Sequence, residues 1–440
     1  MAFARHHTRE AQAQVTQAEN PTARSFLFAL IVLTFAMNLV ARGVPETFAV
    51  FLLPVQKGLG VSRSEITLTY SVYMLAYGLS GPLAGQLIDR LGARIAYSFG
   101  LTSLGLGYLL AGFSTELWHY LLTVGLLGGL GAASLGMIVA SSLLTRWFTT
   151  RIGSVMSAPY AAIGGGMLIL PPLTQVLLTT YGWRLTHGLL GAGVLLTLPL
   201  VMLLPLERMT AGSSAWRSLR ETAAADSTGR WRVSNAIRTS AFWGLFLAYL
   251  STSVAAYSVM PHSVAYLIER GFDPLFAASA FGLAGMLSAV GIIAVGWLSD
   301  RFGRRQTATL SYLFTIIGIV ALSLVSVWPT LALVYAFVFF FGLMQGARGP
   351  IIVAMVAALF PGGMGAIYGA LSVAQGLGAG FGSWFSGVLY EQTGSYIASF
   401  AMATCGACIG LASFWVVRSL RHETIAPAAA PRNTPSTRSL

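Results

Sequence analysis

The sequence predicts an all-α polytopic membrane protein with twelve transmembrane helices in two pseudo-symmetric six-helix bundles. Apolar runs of membrane-spanning length, a one-sided distribution of basic residues and a loose internal repeat predict it. The chain has 440 residues, of which 55% are hydrophobic and 9% charged, with a mean hydropathy of +0.72. A soluble chain of this length needs far more polar surface. Membrane β-strands would alternate apolar and polar residues over about ten positions, and no such alternation occurs. Apolar runs long enough to cross the hydrocarbon layer recur instead. They place spans at 25–54, 65–88, 95–114, 117–145, 152–178, 184–205, 239–268, 274–298, 306–326, 330–359, 364–390 and 395–418.

The net charge of +12 reports topology, not nucleic-acid binding. With the amino terminus inside, cytoplasmic segments hold 20 of the 26 basic residues. The opposite side holds four, Lys57, Arg63, Arg184 and Arg270, and two lie within spans. That bias sets both termini in the cytoplasm. Residues 1–24 lack the apolar core and cleavage site of a signal peptide and read as a disordered cytoplasmic tail. Residues 25–206 then form the amino-terminal bundle, 207–238 a polar cytoplasmic loop, 239–418 the second bundle and 419–440 a second disordered tail. Cys405 and Cys408 have no histidine or further cysteine beside them, so they read as small packing residues.

The two halves echo each other. "GQLIDRLGAR" at Gly85–Arg94 matches "GWLSDRFGRR" at Gly296–Arg305, an offset of 211 residues that also takes Gly60 to Gly271. An offset of 212 takes Gly153 to Gly365. A duplicated six-helix unit is a common way to build a secondary transporter.

Carried by that loop signature, the chain resembles the major facilitator superfamily from Ser25 to Arg418. The signature residues are Gly85, Asp89, Arg90, Gly92 and Arg94, repeated as Gly296, Asp300, Arg301, Gly303 and Arg305. The glycines permit tight turns, and the aspartates suit a helix N-terminus. The resemblance implies that these ten residues form a latch closing the cytoplasmic side. Within the superfamily the chain is similar to the monocarboxylate transporter and oxalate–formate antiporter branch. The segments that carry this likeness are "FAVFLLPVQKGLGVSRSEIT", "RWFTTRIGSVMSA", "PHSVAYLIERGFDPLFAAS" and "GVLYEQTGSY". One feature departs from the branch, whose carboxylate-holding basic residues commonly lie on spans 8 and 11. Here the apolar parts of both spans lack Lys and Arg.

Ionisable residues at membrane depth face a cavity or a partner. Arg42 in span 1 and Arg348 in span 10 fall on helices that line the central cavity in the superfamily fold. Two guanidiniums converging from opposite bundles suit a carboxylate, because each offers a planar fork of donors. Gly43 and Pro45 follow Arg42, and Gly346, Gly349 and Pro350 flank Arg348; such helix interruptions are tolerated where they line a cavity. Glu46 and Asn38 share a helix face with Arg42. Glu46 either neutralises Arg42 so that span 1 enters the bilayer, or takes up a proton when substrate captures Arg42. His262, beside Pro261, is the second coupling candidate or a packing residue. Tyr257, equivalent to Glu46 by the 211-residue offset, Gln345 on the Arg348 face and Gln375 in span 11 complete the substrate-binding candidates, each with interhelical packing as its alternative. The glycine runs "LLGGLGAASLG" and "GLGAGFG" lack the strand and Lys-Ser/Thr ending of a phosphate loop and suit close helix packing.

The resulting expectation is a multi-pass cell-membrane protein, in a bacterial inner membrane. It would be a secondary active transporter of small organic anions, mono- or dicarboxylates, working as a monomer by proton symport or anion exchange. No cofactor, metal site or enzymatic activity is expected, and the partners are the anion, protons and lipid. Proton-coupled efflux of drugs or lipophilic compounds is the alternative, and a non-transporting sensor or scaffold a third reading.

Overall fold

The computed structural model describes residues 21–148, 152–214, 216–217, 231–360 and 364–422. Residues 1–20 and 423–440 of the expected tails 1–24 and 419–440, and residues 215 and 218–230 of the central polar loop, lie outside these residues. Among the described residues the chain is helical, and eight helices are long and apolar enough to cross a membrane. Bulky apolar side chains stand on the outer surface, among them Phe28, Leu83, Leu196, Leu203, Ile293 and Val327. In water such a surface would drive association; against lipid tails it is the matching face.

Helix Arg63–Ala111 has 49 residues, about 74 Å at 1.5 Å per residue, against a hydrocarbon layer of about 30 Å. Gly92, at φ 83° and ψ 174°, divides it. Gly182, at φ 74°, divides helix Ile152–Met202 in the same way. The sequence places loops at 89–94 and 179–183, but a single glycine in a conformation that other residues rarely adopt makes each junction. The positive-φ glycines come in pairs across the chain: Gly60 with Gly271, Gly92 with Gly303, and Gly182 with Gly394, leaving Gly212 unmatched. Each pair is separated by 211 or 212 residues, so the duplication reaches the backbone angles as well as the loop signature.

The mid-helix interruptions obey the same offset. Helix Pro21–Glu46 stops one residue before Phe48–Leu59 starts, with Thr47 as the joint. The equivalent joint is Ser258 and Val259, between Ser240–Tyr257 and Met260–Glu269. Helix Gly128–Leu135 ends at Gly136, and Leu331–Met344 is separated from Arg348–Leu359 by residues 345–347. The span expected as one helix over 117–145 also contains a π-helical turn, Leu121–Leu127. Interrupted backbone at membrane depth survives only where protein or a water-filled cavity satisfies it. At the first joint, Tyr108 and Thr47 hydroxyls both donate to the Val44 carbonyl, at 3.0 and 2.6 Å.

Small residues let the helices approach. Along helix Met364–Thr393, Gly376 and Gly380 face Met74, Gly78 and Ser71 of the first half, whereas Gly378 and Gly382 face Leu250, Val254 and Ser258 of their own half. The expected glycine packing is thus split between two faces of one helix. Cys405 and Cys408 correct the expectation made for them: both are exposed free thiols on the outer face of helix Ile397–Val416, because the buried stripe runs through Ala403, Gly406, Ala407 and Gly410. At Gly291 a Cβ would overlap the Leu343 carbonyl. Gly291→Ala is therefore expected to destabilise the purified protein by about 1–3 kcal/mol, read as a lower midpoint in thermal unfolding.

Candidate functional site

At the first joint, Arg42 lies one turn before Glu46, and the helical geometry brings their side chains to one face. Arg42 Nη2 stands 2.8 Å from Glu46 Oε1 and donates to the Tyr257 hydroxyl at 2.9 Å. Tyr257 comes from the other half of the chain, at the last residue before the second joint. The Tyr70 hydroxyl completes the cluster, 3.1 and 3.2 Å from the two Glu46 oxygens. Glu46 is only 2% exposed, while the Arg42 side chain keeps 19%. The carboxylate is sealed and the guanidinium remains partly reachable. Chemically, Arg42 already holds one carboxylate from its own helix and one hydroxyl from the other half.

The other sequence candidates are distributed more widely. Arg348, 2% exposed, opens helix Arg348–Leu359. It donates to the Ser311 carbonyl and hydroxyl and to Thr315 Oγ1 at 3.3, 3.0 and 2.9 Å, and its guanidinium lies 4.6 Å from the Tyr312 ring centre. These partners all belong to Arg304–Leu324. In this conformation Arg348 is held by hydroxyl acceptors on a neighbouring helix of its own half. Asn38 shares the Arg42 face as expected, but its amide donates to the Thr34 carbonyl one turn back. Gln375 accepts from the Tyr249 hydroxyl at 2.9 Å, and the Gln345 side-chain oxygen is buried without a hydrogen-bond partner. His262, fully buried, sits 3.2 Å from the Tyr396 hydroxyl and 3.0 Å from the Ser383 carbonyl.

The two ends of the molecule differ. At one end Arg63, 5% exposed, donates to Glu269 at 2.7 Å and to the Tyr396 hydroxyl, with its guanidinium 4.5 Å from the Tyr390 ring centre. Ser64 gives its backbone N–H and its hydroxyl to Glu391 at 2.6 and 2.9 Å. Ser71 donates to the Gly380 carbonyl at 2.6 Å. These contacts fasten one half to the other. At the signature end the ion pairs of the first signature, among the described residues, join groups of the first half. Asp89 accepts from Arg146 at 2.6 Å, and Arg94 lies 3.8 Å from Glu207. In the repeat, Arg305 stacks 3.4 Å from the Trp415 ring centre and Arg301 5.5 Å from Trp297. A Cβ added at Gly296, Gly303, Gly365 or Gly369 would meet nothing within 4 Å.

Two groups of residues escaped the sequence reading. Tyr70, Tyr73 and Tyr77 stand at i, i+3 and i+7, a spacing that puts all three on one helix face and was available as a signal. Arg63 and Glu269 read as solvent-side charges, and nothing local marks them as partners 206 residues apart.

A helical fold presenting apolar surface to lipid, with an ion pair at the end of an interrupted helix, is that of a polytopic membrane protein. The family model for the Major Facilitator Superfamily matches residues 26–347 and 289–439. The chain belongs to that superfamily, and so to the secondary-active membrane transporters. It is 29% identical to rat (Rattus norvegicus) monocarboxylate transporter 13 over 397 residues, covering 89% of this chain and 88% of the relative. It is 22% identical over 395 residues to the MFS-type transporter YcxA of Bacillus subtilis, covering 87% and 93%. Among solved structures, the inward-open xylose transporter XylE of Escherichia coli superposes with a TM-score of 0.73 at 14% identity, covering 89% of this chain and 96% of XylE.

Proposed function

We propose that the protein carries small organic anions, mono- or dicarboxylates, across the membrane by proton symport or anion exchange, with Arg42 as the residue that receives the carboxylate. The observation behind this reading is the partly exposed guanidinium beside the first joint, held between Glu46 of its own helix and Tyr257 of the other half. A carboxylate entering from the space between the halves would compete with Glu46 for the same donors, and the displaced Glu46 would take the proton. The similarity to monocarboxylate transporter 13 supports the same substrate class.

In this reading twelve helices form two six-helix bundles, 25–206 and 239–418, joined by a cytoplasmic loop at 207–238 and flanked by the cytoplasmic tails 1–24 and 419–440. The paired glycines and paired interruptions support that architecture. The end fastened by Arg63 and Glu269 faces outward, and the signature end, with Asp89, Arg94, Asp300 and Arg305, faces the cytoplasm of a bacterial cell. The bundles rock about the Arg42–Tyr257 contact in a protein that works as a monomer. Arg348 reaches the anion only after leaving Ser311 and Thr315, in another state of the cycle.

The test is uptake of labelled carboxylates into proteoliposomes holding the purified chain, with and without an inward proton gradient. Uptake that responds neither to carboxylates nor to the gradient would remove the reading. Glu46→Gln is expected to keep anion exchange while losing accumulation driven by the gradient. Undiminished acid-driven accumulation would exclude Glu46 as the proton carrier.

A further inference from the structure

Tyrosines from both halves stand around the partly exposed Arg42. Tyr77 and Tyr160 from the first half and Tyr368 from the second are each half-buried. Tyr77 lies within electrostatic range of Arg42, Tyr257 and Tyr368, and Tyr160 within range of Tyr77 and Tyr368. The rings continue behind them: Tyr73 and Tyr77 have centres 6.2 Å apart, and Tyr70 and Tyr257 6.0 Å. The Tyr73 hydroxyl is buried without a hydrogen-bond partner, in a residue only 2% exposed. A buried hydroxyl without a partner is costly in protein interiors.

An arginine fixes a carboxylate, but a row of tyrosine faces and edges does nothing for an acid as small as acetate. Rings prefer offset or edge-on partners with centres about 4.5–7 Å apart, and Tyr77, Tyr160 and Tyr368 each keep part of the side chain accessible to such a partner. From this juxtaposition we infer that the preferred substrate is an aromatic carboxylate: its carboxyl group goes to Arg42, and its ring lies among Tyr77, Tyr160 and Tyr368. The inference rests on the reading of Arg42 as a carboxylate site and adds the chemistry of the rest of the ligand.

Three acids that share one carboxymethyl group separate the contributions: phenylacetate, cyclohexylacetate and acetate. Each competes for labelled phenylacetate bound to the purified full chain in lipid nanodiscs, and each is also tested directly for a shift in thermal unfolding. The expected order is phenylacetate, then cyclohexylacetate, then acetate. One good aromatic pair gives about a tenfold advantage of phenylacetate over cyclohexylacetate. In Tyr77→Leu with Tyr368→Leu that tenfold advantage is expected to fall to parity while the thermal response to acetate is kept. Equal binding of phenylacetate and cyclohexylacetate by the native chain overturns the aromatic assignment. A thermal shift with acetate but no phenylacetate binding overturns it too and leaves the carboxylate reading standing. No response to any of the three acids removes both.

Discussion

Replacing Arg42 with glutamine is expected to reduce carboxylate uptake by more than a hundredfold while the protein still folds and inserts. A carboxylate held by a guanidinium fork gains charge-assisted hydrogen bonds worth about 1.5–3 kcal/mol each. Losing two of them exceeds the roughly 2.7 kcal/mol that a hundredfold change requires. Glutamine keeps much of the length and some donors but neither the charge nor the fork. The measurement is initial uptake in proteoliposomes, normalised to reconstituted protein whose folding is checked by gel filtration and thermal unfolding.

The single substitution also strips Glu46 of its counter-charge, leaving a buried carboxylate supported by Tyr70 alone. Removing one partner of a buried pair costs about 3–5 kcal/mol, so lost stability must be separated from lost binding. The double variant, Arg42→Gln with Glu46→Gln, makes that separation. If the pair exists only to let span 1 enter the bilayer, the doubly neutral helix inserts at least as well and transports normally. If Arg42 receives the anion, the double variant is stable and inactive. Stability near the native value with uptake at background is the expected result, and normal uptake by the double variant would remove Arg42 from the site.

What the sequence disclosed and what it hid divide along a physical line. Helix positions were legible because hydropathy is a local, additive property, and the duplication was legible because Gly85–Arg94 and Gly296–Arg305 keep their spacing. The neighbourhood of Arg42 and Glu46 was legible too, since four residues on a helix place side chains together whatever the tertiary structure. Tyr257 emerged from the offset alone, and the structure brings its hydroxyl to Arg42. The orientation of Arg348 was hidden. A guanidinium on a cavity helix can face inward or toward a neighbour, and the choice depends on the acceptors Ser311 and Thr315, 37 and 33 residues away. The helix interruptions were foreshadowed by Pro45, Pro261 and Pro350, with Gly43, Gly346 and Gly349 beside them. The break at Gly136 contains no proline, and its correspondence with residue 347 becomes apparent only once the backbone is seen.

Breaking the Arg63–Glu269 contact is expected to release the seal between the halves and move the conformational equilibrium by tenfold or more. Arg63 is buried among Tyr390, Tyr396 and Glu269, so its charge is neutralised only while the two halves are together. In a state that parts them, water takes over the solvation of both ions. The contact therefore favours the closed arrangement by the worth of one charged hydrogen bond, about 1.5–3 kcal/mol, and tenfold in an equilibrium constant needs only about 1.4 kcal/mol. Glu269→Gln removes the charge with little change in shape and is the milder probe; Arg63→Ala also removes the stacking on Tyr390. Ser71, 3% exposed and bonded to the Gly380 carbonyl across the same seam, reports the opening as Ser71→Cys. The exposed Cys405 and Cys408 are first replaced by alanine, since either would otherwise take the label. A membrane-impermeant maleimide is expected to modify the introduced thiol slowly in the otherwise native background and at least tenfold faster with Glu269→Gln. Added carboxylate should alter the rate in both backgrounds if substrate binding and the seal share one equilibrium. Labelling at the same rate in both backgrounds would show that the seam is held by glycine packing at Gly376, Gly380 and Gly387, with the ion pair contributing nothing to the closed state.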